Sequence, residues 1–175
     1  MGVDVRVSRQ KSYKTDAKQV GNLARYICQI MGLSDWDLAI QFVGSKKIRD
    51  LNKQYRGKDY PTDVLSFPQV DWPEALRFGT HVHDRRVPTP IGAPILGDLV
   101  LCLDVAKENA DKIGQGLDRE VCFLLVHGIL HLCGHDHEKP DEERVMLEDQ
   151  RLIMDRLSHD RPELWRGCVI LSANI

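Results

Sequence analysis

Three histidines, His127, His131 and His137, have a spacing that suits the binding of one metal ion. His127 and His131 are four residues apart in a segment whose apolar positions predict a helix, so both imidazoles should share one face, one turn apart. Gly134 suits the left-handed turn that ends a helix, after which the chain can return and supply His137. Three neutral imidazoles leave a tetrahedral Zn²⁺ one open position for water, as in catalytic zinc sites.

A structural explanation stands beside this one, because histidines on an apolar helix are usually core or surface residues. Two histidines four apart also arise by chance, whereas a third at this spacing with Gly134 between favours metal binding. Imidazole binds other first-row metals as well, so zinc is a preference here. The H-x-x-x-H-x-x-G-x-x-H spacing is that of the metzincin peptidases, which place a Glu base directly after the first ligand. That position holds Gly128 in this chain.

The missing Glu argues against a peptidase and directs attention to phosphodiester chemistry. A zinc-bound water has a pKa near 7 and the metal polarises a phosphoryl oxygen, while an arginine can hold the phosphate through two parallel hydrogen bonds. Basic residues are concentrated between Lys46 and Asp59, and Arg56 lies in that segment. Such a segment permits a face for a polyanion, although a solvated helix surface explains most charge runs of this size.

The metal-binding segment and two others together resemble a known family. His127-Gly-Ile-Leu-His-Leu-Cys-Gly-His-Asp-His137 resembles the H-G-x-L-H-L-x-G-Y-D-H signature of the YbeY endoribonucleases, which are bacterial and organellar rRNA-processing factors. Leu51 to Pro68, with its Thr-Asp-Val-Leu-Ser-Phe-Pro end, resembles a basic helix end and strand of that family. Leu96-Gly-Asp-Leu-Val-Leu-Cys102 resembles a further strand. The resemblance extends from about Val43 to Leu157.

The resemblance implies a metal-dependent endoribonuclease that cleaves single-stranded RNA. Its implied role is the maturation of rRNA at the 3′ end of the small subunit and ribosome quality control, with the ribosome or small-subunit proteins as partners. By residue, it implies one Zn²⁺ held by His127, His131 and His137, with Arg56 and His127 taking part in catalysis. It also implies a mixed α/β fold of about four strands, with the metal helix lying across the sheet.

Several neighbouring residues keep two interpretations. His135 stands where the family usually has Tyr, and is an alternative ligand or a proton donor. Thr62, Asp63 and Ser66 line an RNA groove or serve as caps and turns. Further open positions are Asp98 and Asp136 (a partner of a ligating imidazole, or an edge or turn residue), Cys133 (a ligand or a buried thiol), and the pair His81 and His83 (a second metal site or exposed side chains).

Periodicity in the sequence predicts the elements that must position these residues. Alternation predicts strands, and recurrence every three to four residues predicts helices, with Ser45 as the N-cap of the second helix. Helices and strands mix without strict βαβ alternation, which favours an α/β (α+β) fold with a small mixed four-stranded sheet and about five helices. The predicted strands are Val3–Val7, Leu38–Val43, Thr62–Phe67 and Gly97–Cys102; the predicted helices are about Thr15–Met31, one following Ser45, about Leu103–Ile113, Leu117–Cys133 and Pro140–Leu157, with a long loop from Gln69 to Leu96.

The composition fits one globular domain over residues 1–175. Hydrophobic residues make up 42% and charged residues 29%, and the net charge is −2, which excludes a simple polycation. No apolar run reaches the ~18 residues of a membrane helix, and the N-terminus lacks a signal-peptide core, so a cytoplasmic location is expected. Five cysteines without a C-x-x-C pair predict free thiols.

Three functions follow from these observations. The leading hypothesis is the endoribonuclease. The second is a non-enzymatic ribosome-assembly factor that zinc stabilises, for which the long loop and the uneven charge leave room. The third is a metallopeptidase, which only the ligand spacing supports and Gly128 opposes.

Overall fold

The computed structural model describes residues 2–8, 13–79 and 94–171. Within these ranges it contains six strands and five helices. In chain order they are β1 (Val3–Val7), β2 (Tyr13–Thr15), α1 (Ala17–Ile30), β3 (Asp37–Phe42), α2 (Ser45–Arg56), β4 (Val64–Pro68), β5 (Ile95–Leu101), α3 (Leu103–Lys112), α4 (Leu117–Leu132), α5 (Pro140–Asp160) and β6 (Val169–Leu171).

The larger sheet is mixed and has the order β1-β3-β5-β4. β1, β3 and β5 run parallel, whereas β4 pairs antiparallel with β5 and forms one edge. A register irregularity between β3 and β5 lies at Gly97, whose φ is 151° and whose missing Cβ would lie 2.4 Å from the Phe67 carbonyl oxygen. Only glycine permits this approach of β5 to β4. The sequence-based prediction of a small mixed four-stranded sheet with five helices is confirmed.

Helices cover the two faces of this sheet unequally. α1 and α4 pack on one face, where inward residues of the central strands such as Leu38, Ile40 and Leu99 are buried with them. α2 covers part of the other face through Ile48, which packs with Leu65 and with Val43, Val100 and Cys102. α4 is buried along most of its length because sheet, α1, α3 and α5 all contact it. The tertiary contacts of α4 therefore fix the positions of side chains that project from it.

Several boundaries differ from the sequence-based expectation. Ser45 is the first helical residue of α2 and Gly44 is the cap; the Ser45 hydroxyl donates to Asp104 Oδ2 at 2.8 Å instead. β4 begins at Val64, whose N–H donates to the Asp63 carboxylate at 2.8 Å. β5 begins at Ile95, inside the predicted loop. Residues 69–79 of that loop form neither helix nor strand. His81 and His83 lie outside the described residues.

The antiparallel pair β2 and β6 was not predicted from the sequence. The Asp118 carboxylate at the start of α4 accepts backbone N–H groups of Gly167 and Val169 at 2.9 and 2.7 Å, which fastens β6 to α4. Gln19 on α1 donates to the carbonyl of Leu164 and its neighbours. All five cysteines are free and buried, as predicted. Across the described ranges, each helix is too short or too polar to cross a membrane.

Candidate metal centre

The two helical histidines lie side by side on α4. His127 Nε2 and His131 Nε2 are 3.2 Å apart, and the two rings are nearly perpendicular with centroids 4.7 Å apart. Both side chains are half-buried. The separation is that of one helical turn, as the spacing of four residues predicts.

The third histidine is returned to the helix by a tight turn. α4 ends at Leu132, and Gly134 takes the left-handed conformation with φ 85°. The Asp136 carboxylate then accepts the backbone N–H of His137 at 2.7 Å, which fixes the turn. One nitrogen of each of the three histidines lies within 4.8 Å of the others. The predicted ligand set therefore converges in space.

Hydrogen bonds behind the two helical imidazoles select their tautomers. His127 Nδ1 lies 3.0 Å from Gln150 Oε1 on α5, and His131 Nδ1 lies 2.9 Å from the carbonyl oxygen of His135. A carbonyl oxygen only accepts, and an amide oxygen does the same, so each Nδ1 carries the proton and donates it. Each Nε2 is left with its lone pair facing the other.

Burial keeps these two rings neutral. Desolvation is the main cause that lowers the pKa of His127 from its usual 6.5. Desolvation, followed by the proximity of His127, lowers the pKa of His131 to about 4. Neutral imidazole is the form that binds metal. Burial thus favours the metal-binding form of His127 and His131.

The donor set fits a tetrahedral cation. Two bare lone pairs 3.2 Å apart repel each other unless a cation lies between them. Two nitrogens bound to one tetrahedral Zn²⁺ are roughly 3.3 Å apart, from Zn–N bonds of about 2.05 Å. His137 is exposed, so this corner of the cluster opens to solvent and leaves room for a further ligand. These three residues could hold a metal ion.

His135 is not part of this cluster. Its side chain is buried, and Nε2 lies 2.9 Å from the Leu76 carbonyl oxygen and 3.5 Å from the Asp149 carboxylate. The alternative in which His135 replaces His137 as ligand is therefore wrong for this arrangement. Cys133 is also buried in the core, and desolvation raises the pKa of its thiol well above 9.0, which favours the buried-thiol interpretation.

A groove of about 780 Å³ passes over the histidines, between the C-terminal end of α2 and the edge strand β4. Arg56, the last residue of α2, lines it together with Lys58, Tyr55 and Phe67. Arg49 and Lys53 on the same helix both pair with Asp59, whose pKa their hydrogen bonds lower to about 2. Across residues 2–8, 13–79 and 94–171, Arg56 and Lys58 form no ion pair, so both charges are available to an anion.

The remaining predicted residues divide between the groove and other places. Thr62, Asp63 and Ser66 all line the groove, and Asp63 also caps the start of β4. Asp136 lines it too, but its hydrogen bond to the His137 backbone supports the turn interpretation. Asp98 lies on a separate depression beside β1 and β3, away from the ligating imidazoles.

Comparisons with known proteins identify the family of this chain. The sequence profile of the family described as "Endoribonuclease YbeY" matches residues 5–158. The chain belongs to this family. Among similar curated proteins, each named Endoribonuclease YbeY, one from Caldanaerobacter subterraneus is 41% identical over 121 residues, 69% of this chain and 73% of that protein. One from Aquifex aeolicus is 37% identical over 149 residues, 85% of this chain and 88% of that protein.

A solved structure supports the fold. The solution structure of a Thermotoga maritima protein matches with a TM-score of 0.58 and 24% identity, covering 94% of this chain and 95% of that one. At this identity the likeness concerns the fold alone. The YbeY-family chain and that structure therefore share the α/β architecture that the sequence predicted.

The packing of Gly128 explains why this YbeY-family chain has no Glu after its first ligand. Gly128 faces the sheet, and a Cβ there would lie 2.8 Å from Leu99 Cδ2 and 3.4 Å from Ser66 Oγ. A side chain at this position would require Leu99 to move. The position therefore holds the helix close to the sheet, and the peptidase hypothesis loses its remaining structural support.

Sequence reasoning missed two residues of this YbeY-family site. Gln150, the partner of His127, lies 23 residues away on α5 and carries no motif of its own. Tyr55, one turn after the apolar residue Leu51 of α2, lies in the groove and is 60% exposed. Its place directly before Arg56 was the available signal, since aromatic and basic residues are often interleaved where nucleic acid binds.

Proposed function

We propose that this protein is a metal-dependent endoribonuclease that cleaves single-stranded RNA, with zinc as the metal. The observation that carries the proposal is the convergence of His127, His131 and His137 beneath a groove that is also lined by Arg56, which has no ion-pair partner among the described residues. The name of its family relatives supports endoribonuclease activity. We extend the proposal to rRNA, at the 3′ end of the small subunit, with the ribosome as partner and the cytoplasm as location.

In this mechanism each residue has a definite task. Gln150 and the His135 carbonyl hold the protons on the Nδ1 atoms, so that His127 and His131 present Nε2 to the metal and His137 completes the set. A zinc ion bound there would supply a water with a pKa near 7 and polarise a phosphoryl oxygen. Arg56 donates to the other phosphate oxygens, and its planar guanidinium fixes the orientation of the phosphate.

The groove holds two cations that could bind a phosphodiester, Arg56 and Lys58, together with the acidic residues Asp63, Asp136 and Glu138. Arg56 and Lys58 flank the groove at the same end, and α2 adds the exposed Lys47 farther from it. A developing negative charge on phosphoryl oxygens gains from such donors, and removal of one preorganised donor typically lowers kcat about 100-fold or more. A peptide substrate would instead need a base near the scissile bond, and the position of the usual Glu holds Gly128.

The test begins with metal content and continues with cleavage. Elemental analysis of wild type and His131→Ala should give about one zinc per wild-type chain and its loss from a variant that remains folded. A labelled single-stranded RNA is then incubated with metal-loaded protein. Arg56→Ala should cleave about 100-fold more slowly, whereas Lys47→Ala, an exposed cation of the same helix outside the groove, should cleave normally.

Two outcomes would contradict the proposal. Wild-type protein that carries metal but leaves the RNA intact would favour the non-enzymatic assembly factor stabilised by zinc. Cleavage that Arg56→Ala and His131→Ala both retain would indicate a contaminating nuclease, and the assigned site would be wrong.

A further inference from the structure

The aromatic pair Tyr55 and Phe67 lines the groove but belongs neither to the histidine cluster nor to the proposed phosphate contact of Arg56. The two rings meet edge to face, with centroids 5.0 Å apart and an interplanar angle of 72°. Phe67 is half-buried and packs on the cluster between α2 and the sheet, so it is anchored. Tyr55 is 60% exposed. The Tyr55 ring is thus supported by Phe67 on one side and exposed to solvent on the other.

The exposure of Tyr55 follows from its place at the end of α2. Ile48 and Leu51 make the apolar side of that helix and pack on the sheet. One turn beyond Leu51, at the end of α2, Tyr55 lies beside the edge strand β4, where its ring contacts Phe67. Burial does not account for an aromatic residue there. The ring instead forms part of the wall of the groove.

The chemistry around this ring matches one kind of ligand. Arg56 is the next residue, Lys58 follows, and the three histidines line the same groove. Proteins that hold single strands combine cations along the backbone with aromatic rings on which bases stack. Bases inside a duplex are already stacked on their neighbours. A protein ring therefore stacks on a base that is not base-paired.

We propose that Tyr55, braced by Phe67, is a stacking platform for an unpaired base of the strand whose phosphate lies at Arg56. The proposal rests on the proposed function and deepens it, because it assigns the preference for single-stranded RNA to a particular side chain. Tyr55 is a positioning residue in this scheme: it holds the nucleotide and does not touch the reacting phosphate. An extended peptide with an aromatic side chain is the competing occupant, and the test includes it.

The experiment measures RNA binding by fluorescence anisotropy, on the full metal-loaded chain and over times for which a gel shows the strand intact. The probe is a labelled eight-nucleotide single-stranded RNA, compared with the same sequence as a duplex. Tyr55→Phe keeps the ring and should bind within twofold of wild type. Tyr55→Leu should bind the single strand roughly tenfold more weakly, in the range found when a stacked base loses its aromatic partner.

Two controls separate stacking from other effects. Tyr60→Leu removes another exposed tyrosine, 54% exposed but outside the groove, and should leave binding unchanged. The slope of the logarithm of the binding constant against the logarithm of the salt concentration should be the same in Tyr55→Leu as in wild type. In Arg56→Ala it should become less steep by about one, because Arg56 contacts phosphate in this scheme and Tyr55 does not.

A strand with one abasic position, moved along the RNA, locates the stacked base. At one position wild-type affinity should fall about as much as in Tyr55→Leu, and combining the two changes should add little. Equal binding by wild type and Tyr55→Leu, or an equal loss at every abasic position, would refute the platform. Binding of an aromatic peptide that competes with RNA and requires Tyr55 would also refute it.

The two proposals fail separately. If Tyr55 affects binding but wild type cleaves no RNA, the catalytic proposal fails and the platform stands. If cleavage depends on Arg56 but binding and KM do not depend on Tyr55, the platform fails and the catalytic proposal stands. Should Tyr55→Leu lower the melting temperature, Tyr55→Phe and the abasic strands on wild-type protein still decide the question.

Discussion

At the scale of single residues, the metal centre depends on atoms behind the ligands as much as on the ligands. Gln150 and the His135 carbonyl each accept a proton from an Nδ1, so both Nε2 lone pairs point into the same space before any metal binds. Since the rings are already turned, metal binding need not pay for ordering them.

Replacing Gln150 should therefore weaken metal binding without removing a ligand. Gln150→Leu keeps the volume but offers no acceptor to His127 Nδ1, and metal affinity should fall about 10- to 100-fold. Gln150→Glu retains an acceptor and should bind metal at least as well as wild type. Competition with a chromophoric chelator measures both. Equal affinity in the leucine variant would show that the hydrogen bond does not orient His127.

Glu120 gives a pH-dependent prediction away from the metal. It is 4% exposed on α4, hydrogen-bonded by Gln115, and desolvation raises its pKa above 4.5. The native state therefore binds this proton more tightly than the unfolded state does, so the contribution of Glu120 to stability is lost as pH rises through the folded pKa. Glu120→Gln should be more stable than wild type at pH 7.5, and the difference should disappear below pH 4.5.

Urea unfolding of both proteins across that pH range checks this expectation. Gln at position 120 can still accept from Gln115, so the comparison isolates the charge. A variant less stable than wild type at pH 7.5 would show that the carboxylate is stabilised in a way that desolvation does not describe.

Residue types and spacing were enough to predict that His127 and His131 lie side by side, because a helix places residues four apart on one face. The roles of the three histidines and Arg56 stay predictions. The structure brings all four into one groove. The orienting partner Gln150 could not be predicted, since its position depends on how α5 packs on α4. The role of His135 was also beyond the sequence, because only the tertiary structure places it on Leu76 and Asp149.

At the scale of elements, the turn after α4 determines whether the third ligand reaches the first two. Gly134 has φ 85°, and a Cβ there would lie 2.9 Å from Trp72 Cβ. Trp72 is fixed in turn by donating from Nε1 to the Leu132 carbonyl at 2.7 Å. The turn cannot move away from Trp72 without moving the end of the helix.

Gly134→Ala should thus destabilise the fold and weaken metal binding. The left-handed conformation alone costs about 1–2 kcal/mol for alanine, and the contact with Trp72 adds to it. Gly114→Ala is the matched control, because Gly114 has φ 69° with open space around it. It should lose stability through strain alone and keep its metal affinity. Denaturant unfolding measures the free energy of unfolding, and chelator competition measures the metal affinity. Equal losses of both quantities in Gly134→Ala and Gly114→Ala would show that the contact with Trp72 has no effect.

The sequence pattern predicted the long helices and strands well but did not predict the two short strands β2 and β6. The five helices and four main strands have enough residues for an apolar period to emerge. β2 and β6 have three residues each, too few for a period, and pair Tyr13 with Leu171 across nearly the whole chain. The prediction of Ser45 as the N-cap of α2 was wrong. The Ser45 hydroxyl donates to Asp104 on α3, a partner that only the tertiary structure provides.

At the scale of the whole molecule, the metal should stabilise a fold that forms without it. α4 is buried against the sheet and three helices, so two ligands keep their positions in the metal-free protein. Chelation should leave the helical circular dichroism nearly unchanged. At a metal concentration 100 times Kd, binding adds about 2.7 kcal/mol, which for a domain of this size raises Tm by roughly 5–10 °C.

Thermal scans with and without chelator test this expectation. His131→Ala supplies the control, since its melting temperature should not respond to chelator or added zinc. Loss of most helical signal on chelation of wild type would show instead that metal binding and folding are one event, as in zinc fingers.

The close packing at Gly128 also bears on how this fold can change its chemistry over evolution. Leu99 is fully buried where a side chain at position 128 would have to go. A carboxylate base at position 128 would require Leu99 to shift or to be replaced by a smaller residue. The choice of residue after His127 is therefore coupled to the packing of α4 on β5, even though helices with the H-E-x-x-H pattern space their two histidines in the same way.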